Sequence, residues 1–245
     1  MNAFDKVEDP RRRLLVKALT AGLISGGFPA ASALAQNVIG RRPTKLPPGQ
    51  WIYRITGTAS VNGAAASLQT PVRPGDTVET GKDSEIVFAV DGHSMILRNE
   101  SRLVIESGGN AAVSLLLSGL RLLTGKLLSV SRNSQLRITT ATATIGIRGT
   151  GWYAESDPER TYFCTCYGTT DVASIEDSAS KETVVSTHHD KPLYIVGKGG
   201  VGNRIRAAPF INHTDQELML IETLVGRTPP FVFPKDDYTG PRRDY

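Results

Sequence analysis

The 245-residue chain lacks the short signatures that announce common chemistries. It contains no G-x-S-x-G nucleophile elbow, no H-E-x-x-H motif and no P-loop, so enzyme activity has no positive support. After residue 35 no apolar run is long enough to span a membrane, which takes about 20 residues for roughly 30 Å of hydrocarbon. Nor is there a basic stripe interleaved with aromatics. Of the 28 basic and 24 acidic residues, five and three fall among residues 1–35, leaving 23 and 21 in the remainder, a net charge of +2. That balance gives a phosphate backbone nothing to follow, and nucleic acid is excluded as a partner. No cofactor is expected.

What is present begins with an address. Arg11-Arg12-Arg13-Leu14-Leu15-Val16-Lys17 precedes an apolar stretch to Phe28, then Pro29 and the small-residue run Ala30 to Ala35. Charged, apolar and cleavable segments in that order make an export signal. Ala33-Leu34-Ala35 sets the cut before Gln36, and Arg12-Arg13 with two apolar residues and Lys17 behind them is similar to a twin-arginine signal. Residues 1–35 are therefore expected to be a twin-arginine-like signal peptide, and the remainder to reside in the periplasm. The alternative is an uncleaved inner-membrane anchor, which Lys17, Thr20, Gly22, Gly26, Gly27 and Pro29 weaken.

Residues 36–50 carry three prolines and read as a linker. From 51 to 172 short runs alternate with turn signals and no amphipathic helix appears, which predicts a mainly β domain, an antiparallel β-sandwich or β-roll. Strands are expected at Trp51–Val61, Thr77–Thr80, Arg102–Glu106, Val113–Ser118, Gly119–Leu123, Lys126–Ser131, Gln135–Thr140, Thr144–Ile147, Gly151–Glu155 and Thr161–Tyr167. Asp91-Gly92 fits both positive-φ sites of a type I′ turn, so the apolar runs flanking it should pair as a hairpin. Residues 173–245 read as an extension with a strand near 192–196, a helix near 215–225 and an extended tail. Thr214 or Asp215 caps that helix, Leu218, Ile221, Leu224 and Val225 repeat at helical spacing, and Gly226, Arg227 and Pro229 end it.

The only cysteines, Cys164 and Cys166, stand two apart. On a strand they share a face, with Cα atoms about 6.6 Å apart at roughly 3.3 Å per residue, near the upper limit for a disulfide. Three readings stay open: thiols packed beside Tyr162, a strained local disulfide, or half of a metal site. An oxidising compartment favours the disulfide and strand geometry favours the packed thiols, the preferred reading. A metal would draw on His188-His189-Asp190, but neighbours in extended chain point opposite ways, so the run reads as a polar loop and no metal is expected. As a nucleophile either cysteine could pair with His93, His188, His189 or His213, none of them in a recognisable motif. Trp51, Trp152, Tyr153, Tyr162 and Tyr167 could stack on sugar rings, although aromatics at strand positions are more often core.

Five segments, taken in order, resemble one family. They are Gly57-Thr58-Ala59-Ser60-Val61-Asn62-Gly63, Val72-Arg73-Pro74-Gly75-Asp76-Thr77-Val78-Glu79-Thr80-Gly81, Asp91-Gly92-His93-Ser94-Met95-Ile96-Leu97, Leu123-Thr124-Gly125-Lys126, and Ile138-Thr139-Thr140 leading into Ile147-Arg148-Gly149-Thr150. Together, over about residues 55–170, they resemble the FecR domain, the periplasmic module named after the regulator of iron-dicitrate transport. The resemblance implies a sensing or interaction module that binds another envelope protein, with edge strands as the natural docking surface. The best-known members carry a cytoplasmic sigma-factor-binding region; here about ten residues precede the arginines, and no such region is expected there. Gly75, Asp76, Asp91, Gly92, Gly149 and Thr150 are expected to be structural, with Pro74-Gly75-Asp76 a tight turn and Gly149 a bulge or close backbone approach. Arg148, Trp152 and Tyr153 are the binding candidates, Arg148 more readily as a clamp on a carboxylate or carbonyls within the fold. A glycan- or small-molecule-binding domain is the second reading, and a thiol-dependent enzyme the third.

Overall fold

Alternating apolar and polar residues dominate the chain after Trp51, and they build a mainly β fold closed by one short helix. The structure, a computed structural model, describes residues 43–108 and 116–231. The expected signal segment, residues 36–42, the start of the strand expected at Val113–Ser118 and the tail from residue 232 lie outside them. Seven short strands come first: β1 (Ile52–Thr56), β2 (Ala59–Val61), β3 (Ala64–Ala65), β4 (Thr77–Thr80), β5 (Glu85–Val90), β6 (His93–Leu97) and β7 (Arg102–Gly108). Three long ones follow, β8 (Leu116–Thr139), β9 (Ala143–Ser156) and β10 (Arg160–Ser174). The chain then forms β11 (Lys181–Ser186), β12 (Leu193–Val196), β13 (Ile205–Ala207) and the helix α1 (Asp215–Leu224).

Neighbouring strands pair antiparallel in the order β13-β12-β10-β9-β8-β7-β4-β2-β3. A branch β1-β5-β6 joins β8, and β11 flanks β10. The hairpin expected at Asp91-Gly92 is present: the two residues take φ of 49° and 78°, and Val90 pairs with His93. At Pro74–Asp76 the tight turn forms as well, with Gly75 at φ 99° and the Asp76 carboxylate accepting from the Arg73 N–H at 2.7 Å. The long expected strand Trp51–Val61 divides into β1 and β2 at Gly57, whose φ is 69°.

The short strands expected between Val113 and Thr140 are instead one strand of 24 residues. Its turn-like residues bend it without ending it, because the strand changes partner as it goes. Up to Thr124 it pairs with β7, and from Leu127 with β6. The change happens at Gly125, which has φ 90°; a Cβ there would lie 2.5 Å from the Ser101 Cα, so only glycine fits. β9 likewise joins the two strands expected at Thr144–Ile147 and Gly151–Glu155. Between them Gly149 sits at φ 62° and is skipped in the register with both β8 and β10, which makes it a bulge.

The central strands are buried on both faces, and period two sorts their side chains into separate cores. Ile86, Phe88, Met95, Leu97, Leu127, Trp152, Ala154 and Phe163 line one. Val87, Ile96, Leu128, Val130, Tyr153, Tyr162, Cys164 and Cys166 line the other, where Leu218, Ile221 and Leu224 of α1 cover them. Each such aliphatic side chain withdrawn from water contributes about 1.5–3 kcal/mol. α1 and the segment leading to it thus form much of the cover of the second face. α1 starts with a reciprocal capping box. The Thr214 hydroxyl accepts from the Glu217 N–H at 3.3 Å, and the Glu217 carboxylate accepts from the Thr214 N–H at 3.0 Å. No helix among the described residues is long and apolar enough to cross a membrane.

Candidate functional site

The two cysteines stand on β10, facing the core that α1 covers. Thr165 pairs with Trp152 and Tyr167 with Gly151, so Cys166 is the extra residue of a β-bulge. The bulge turns Cys164, Cys166 and Tyr167 all onto the same face, which an unkinked strand would not do. Both cysteines are free thiols with 0% exposure. The Cys166 carbonyl accepts the His189 N–H at 2.9 Å and so hangs the β11–β12 loop on the bulge.

That loop departs from the extended geometry expected of His188-His189-Asp190. The Asp190 carboxylate accepts from the Thr187 N–H at 2.7 Å and its hydroxyl at 2.9 Å, and His189 adopts φ 55°, which together make a tight turn. The turn brings both imidazoles to a single carboxylate, His188 Nε2 at 2.8 Å and His189 Nε2 at 2.9 Å from the two oxygens of Asp215. Asp215 is the first residue of α1, where the positive end of the helix dipole favours its charge. Burial pushes its pKa up, but hydrogen bonds from His189 and His188 outweigh this and hold the carboxyl below the ordinary range.

A third histidine completes the group. The backbone after β13 carries His213 over the ring of Tyr153, centroids 4.6 Å apart, with 0% exposure. Its Nδ1–H donates to the Ile211 carbonyl at 2.6 Å, which turns Nε2 inward to lie 3.1 Å from His189 Nδ1. Cys164 Sγ stands 3.5 Å from that same His189 Nδ1. The donor atoms of Cys164, Cys166, His189 and His213 all lie within 4.8 Å of one another. Burial pushes the Cys164 thiol up, but hydrogen bonds from Cys166, His189 and His213 hold it well below the usual thiol range. Burial and the neighbouring Cys164 keep Cys166 protonated, far above it. His189 is lowered by burial but raised further by Asp215 and Cys164, to about 9, whereas burial lowers His213.

Two chemistries fit this geometry. Cys164, His189 and Asp215 form a nucleophile–base–carboxylate sequence. The two thiols and two imidazoles also form a four-donor cage. Of the ligand candidates Cys164, Cys166, His188 and His189, His188 is grouped with His189 and Asp215 and not with the sulfurs, where His213 is the fourth donor. No spacing rule connects residue 213 to residue 164, so its only signal was its residue type.

The remaining candidates separate cleanly. Trp152 is fully buried and stacks on Phe163 with centroids 6.0 Å apart, and Tyr153 is fully buried with its hydroxyl donating to Glu155 at 2.7 Å. Neither presents a face to a ligand. Arg148 is exposed and pairs with Asp171 across β9 and β10 at 2.5 Å, the carboxylate clamp expected of it. An exposed pair of this kind contributes about 0.2–1 kcal/mol, so Arg148→Ala should lower unfolding free energy by no more than that in urea denaturation. Thr150 is buried under the bulge. Gly197, Gly199 and Gly202 have the spacing of a dinucleotide loop, but they join β12 to β13 and no helix opens from them. A cleft of about 540 Å³ lined by Asp157, Glu159, Arg160, Glu176 and Lys198 holds neither cysteine nor histidine.

No protein-family model matches the sequence, and no curated protein does. Two solved structures from Parabacteroides distasonis ATCC 8503, each described as a "putative anti-sigma factor", are similar to the chain in part. One has 12% identity and a TM-score of 0.42 over 54% of this chain; the other has 11% identity and a TM-score of 0.43 over 60%. The matched region spans 58% of the first and 73% of the second.

Proposed function

We propose that the chain is an exported, non-catalytic interaction module of FecR type, which works in the periplasm by binding another envelope protein. The N-terminal segment supports the location through its charged, apolar and cleavable order. The residues that carry the family resemblance do framework work: the turn at Pro74–Asp76, the hairpin at Asp91-Gly92, the bend at Gly125 and the bulge at Gly149. A non-catalytic role is supported by Cys164, whose sulfur has no exposed surface for a substrate to approach.

The observation that carries the binding reading is the edge strand β11. Among the described residues it pairs only with β10, over Gly168–Ala173, and leaves its other edge open. Val185 on it is 72% exposed. An open edge with an apolar side chain is where an extended segment of another protein can add a strand. Val185→Lys places a charge on that edge at a surface position, where substitutions usually shift stability within about 0.5 kcal/mol. Periplasmic proximity labelling should recover an envelope protein with the wild-type chain and lose it with Val185→Lys. Recovery of no envelope protein above background by the wild type would sink the reading.

A further inference from the structure

We propose that Cys164, Cys166, His189 and His213 form a closed Zn²⁺ site that fastens the C-terminal segment to the second face of the sheet. The hydrogen bonds around the two imidazoles carry the inference. His189 Nε2 is spent on the Asp215 carboxylate and His213 Nδ1 on the Ile211 carbonyl. Each ring therefore turns its other nitrogen into the same small volume, 3.1 Å apart, where one cation would accept a lone pair from each. Two sulfurs border that volume.

Two of the donor separations match edges of a tetrahedron around one metal. Tetrahedral zinc with Zn–N of about 2.0–2.1 Å and Zn–S of about 2.3 Å gives an N···N edge of about 3.3 Å and an S···N edge of about 3.6 Å. The corresponding separations here are 3.1 and 3.5 Å. Two thiolates with two imidazoles in a tetrahedron select zinc among the available divalent ions. Four protein donors, all buried or nearly so, leave no position for water, which is the arrangement of a structural centre and not a catalytic one. The outer partners are also those of ligating histidines, a carboxylate for one ring and a carbonyl for the other. The donors come from three places, β10, the β11–β12 loop and the approach to α1, so one ion would tie the cover of the second face to the strand beneath it. The proposal is independent of what β11 binds.

The test uses the full chain isolated from the periplasm of expressing cells. Elemental analysis should find one zinc per chain. After chelation under reducing conditions, added Co²⁺ should produce the visible d–d bands and thiolate charge-transfer band of tetrahedral S₂N₂ coordination, and Zn²⁺ should displace it. Asp215→Asn should weaken zinc about 10- to 100-fold while leaving the bands in place. Cys166→Ser should abolish the tetrahedral spectrum, and His213→Cys, which keeps four donors, should retain a tetrahedral spectrum with stronger charge transfer even if other variants fold poorly. Several results would overturn the proposal: copper in place of zinc, a Cys164–Cys166 disulfide in the isolated chain, no Co²⁺ bands in the reduced wild-type protein, or bands unchanged in Cys166→Ser.

Discussion

Trp152→Ala should destabilise the fold by about 3–5 kcal/mol, the range for emptying a buried large aromatic site. Trp152 lies in the middle of β9 with 0% exposure, between strands that are themselves buried, and stacks on Phe163 at an interplanar angle of 22°. The strands around it are paired on both sides, so the site cannot collapse far, which places the cost at the upper part of the range. Against a total stability of about 5–15 kcal/mol for a domain, that loss leaves little margin. Among the described residues the Trp152 Nε1–H has no hydrogen-bond partner, and Trp152→Phe removes that buried donor while keeping most of the volume. The phenylalanine variant should therefore cost clearly less than the alanine one. Guanidinium denaturation followed by circular dichroism reads both, through the midpoint at unchanged slope. A Trp152→Ala protein as stable as wild type but unable to bind a glycan would return this residue to the ligand-binding role considered from sequence.

Removing one partner of the Arg98–Glu217 pair should cost a similar amount. Arg98 follows β6, and its guanidinium donates to Glu217 Oε2 at 3.0 Å, with side chains only 8% and 11% exposed. The guanidinium also lies over the ring of Tyr153 at 5.6 Å. Glu217 belongs to the capping box of α1, so the pair joins the start of the helix to the sheet it covers. A buried pair need not add net stability over an apolar one, but stripping one member leaves an uncompensated charge, at a cost of about 3–5 kcal/mol. Arg98→Met is expected to fall in that range. Glu217→Gln keeps an oxygen for the Thr214 N–H, and the double variant should be less destabilised than the sum of the singles by roughly 0.5–3 kcal/mol. Additive effects in that cycle, measured by thermal or urea unfolding, would show that the pair does not anchor the helix.

The features read correctly from sequence are those whose causes lie within a few residues. Asp91-Gly92 makes its hairpin because two adjacent residues must take positive φ. Thr214, Glu217 and Gly226 bound α1 because capping and termination act within a turn or two. Strand ends were harder to place. Gly125 and Gly149 are turn-like residues yet sit inside continuous strands, because β8 exchanges β7 for β6 at Gly125 and β9 keeps both of its neighbours across the bulge at Gly149, so the backbone stays hydrogen-bonded without a turn.

The Cys–His–Asp group was visible only as its parts. Cys164 and Cys166 share a face by strand alternation, but His189 needed a left-handed backbone held by Asp190, and His213 needed the segment after β13 to cross Tyr153. Each of those conditions follows from which strands pair and which face is covered. Local chemistry thus settled the class of fold, the turns and the helix ends, since alternation, positive φ and capping draw their energy from near neighbours. Meeting of residues 25 and 49 positions apart, Cys164 with His189 and with His213, depends on the burial of a whole sheet face, a sum over distant side chains that no window of sequence contains. The aromatic candidates show the same division: strand alternation assigned Trp152 and Tyr153 to opposite faces, and only the layers packed above and below made both of them core.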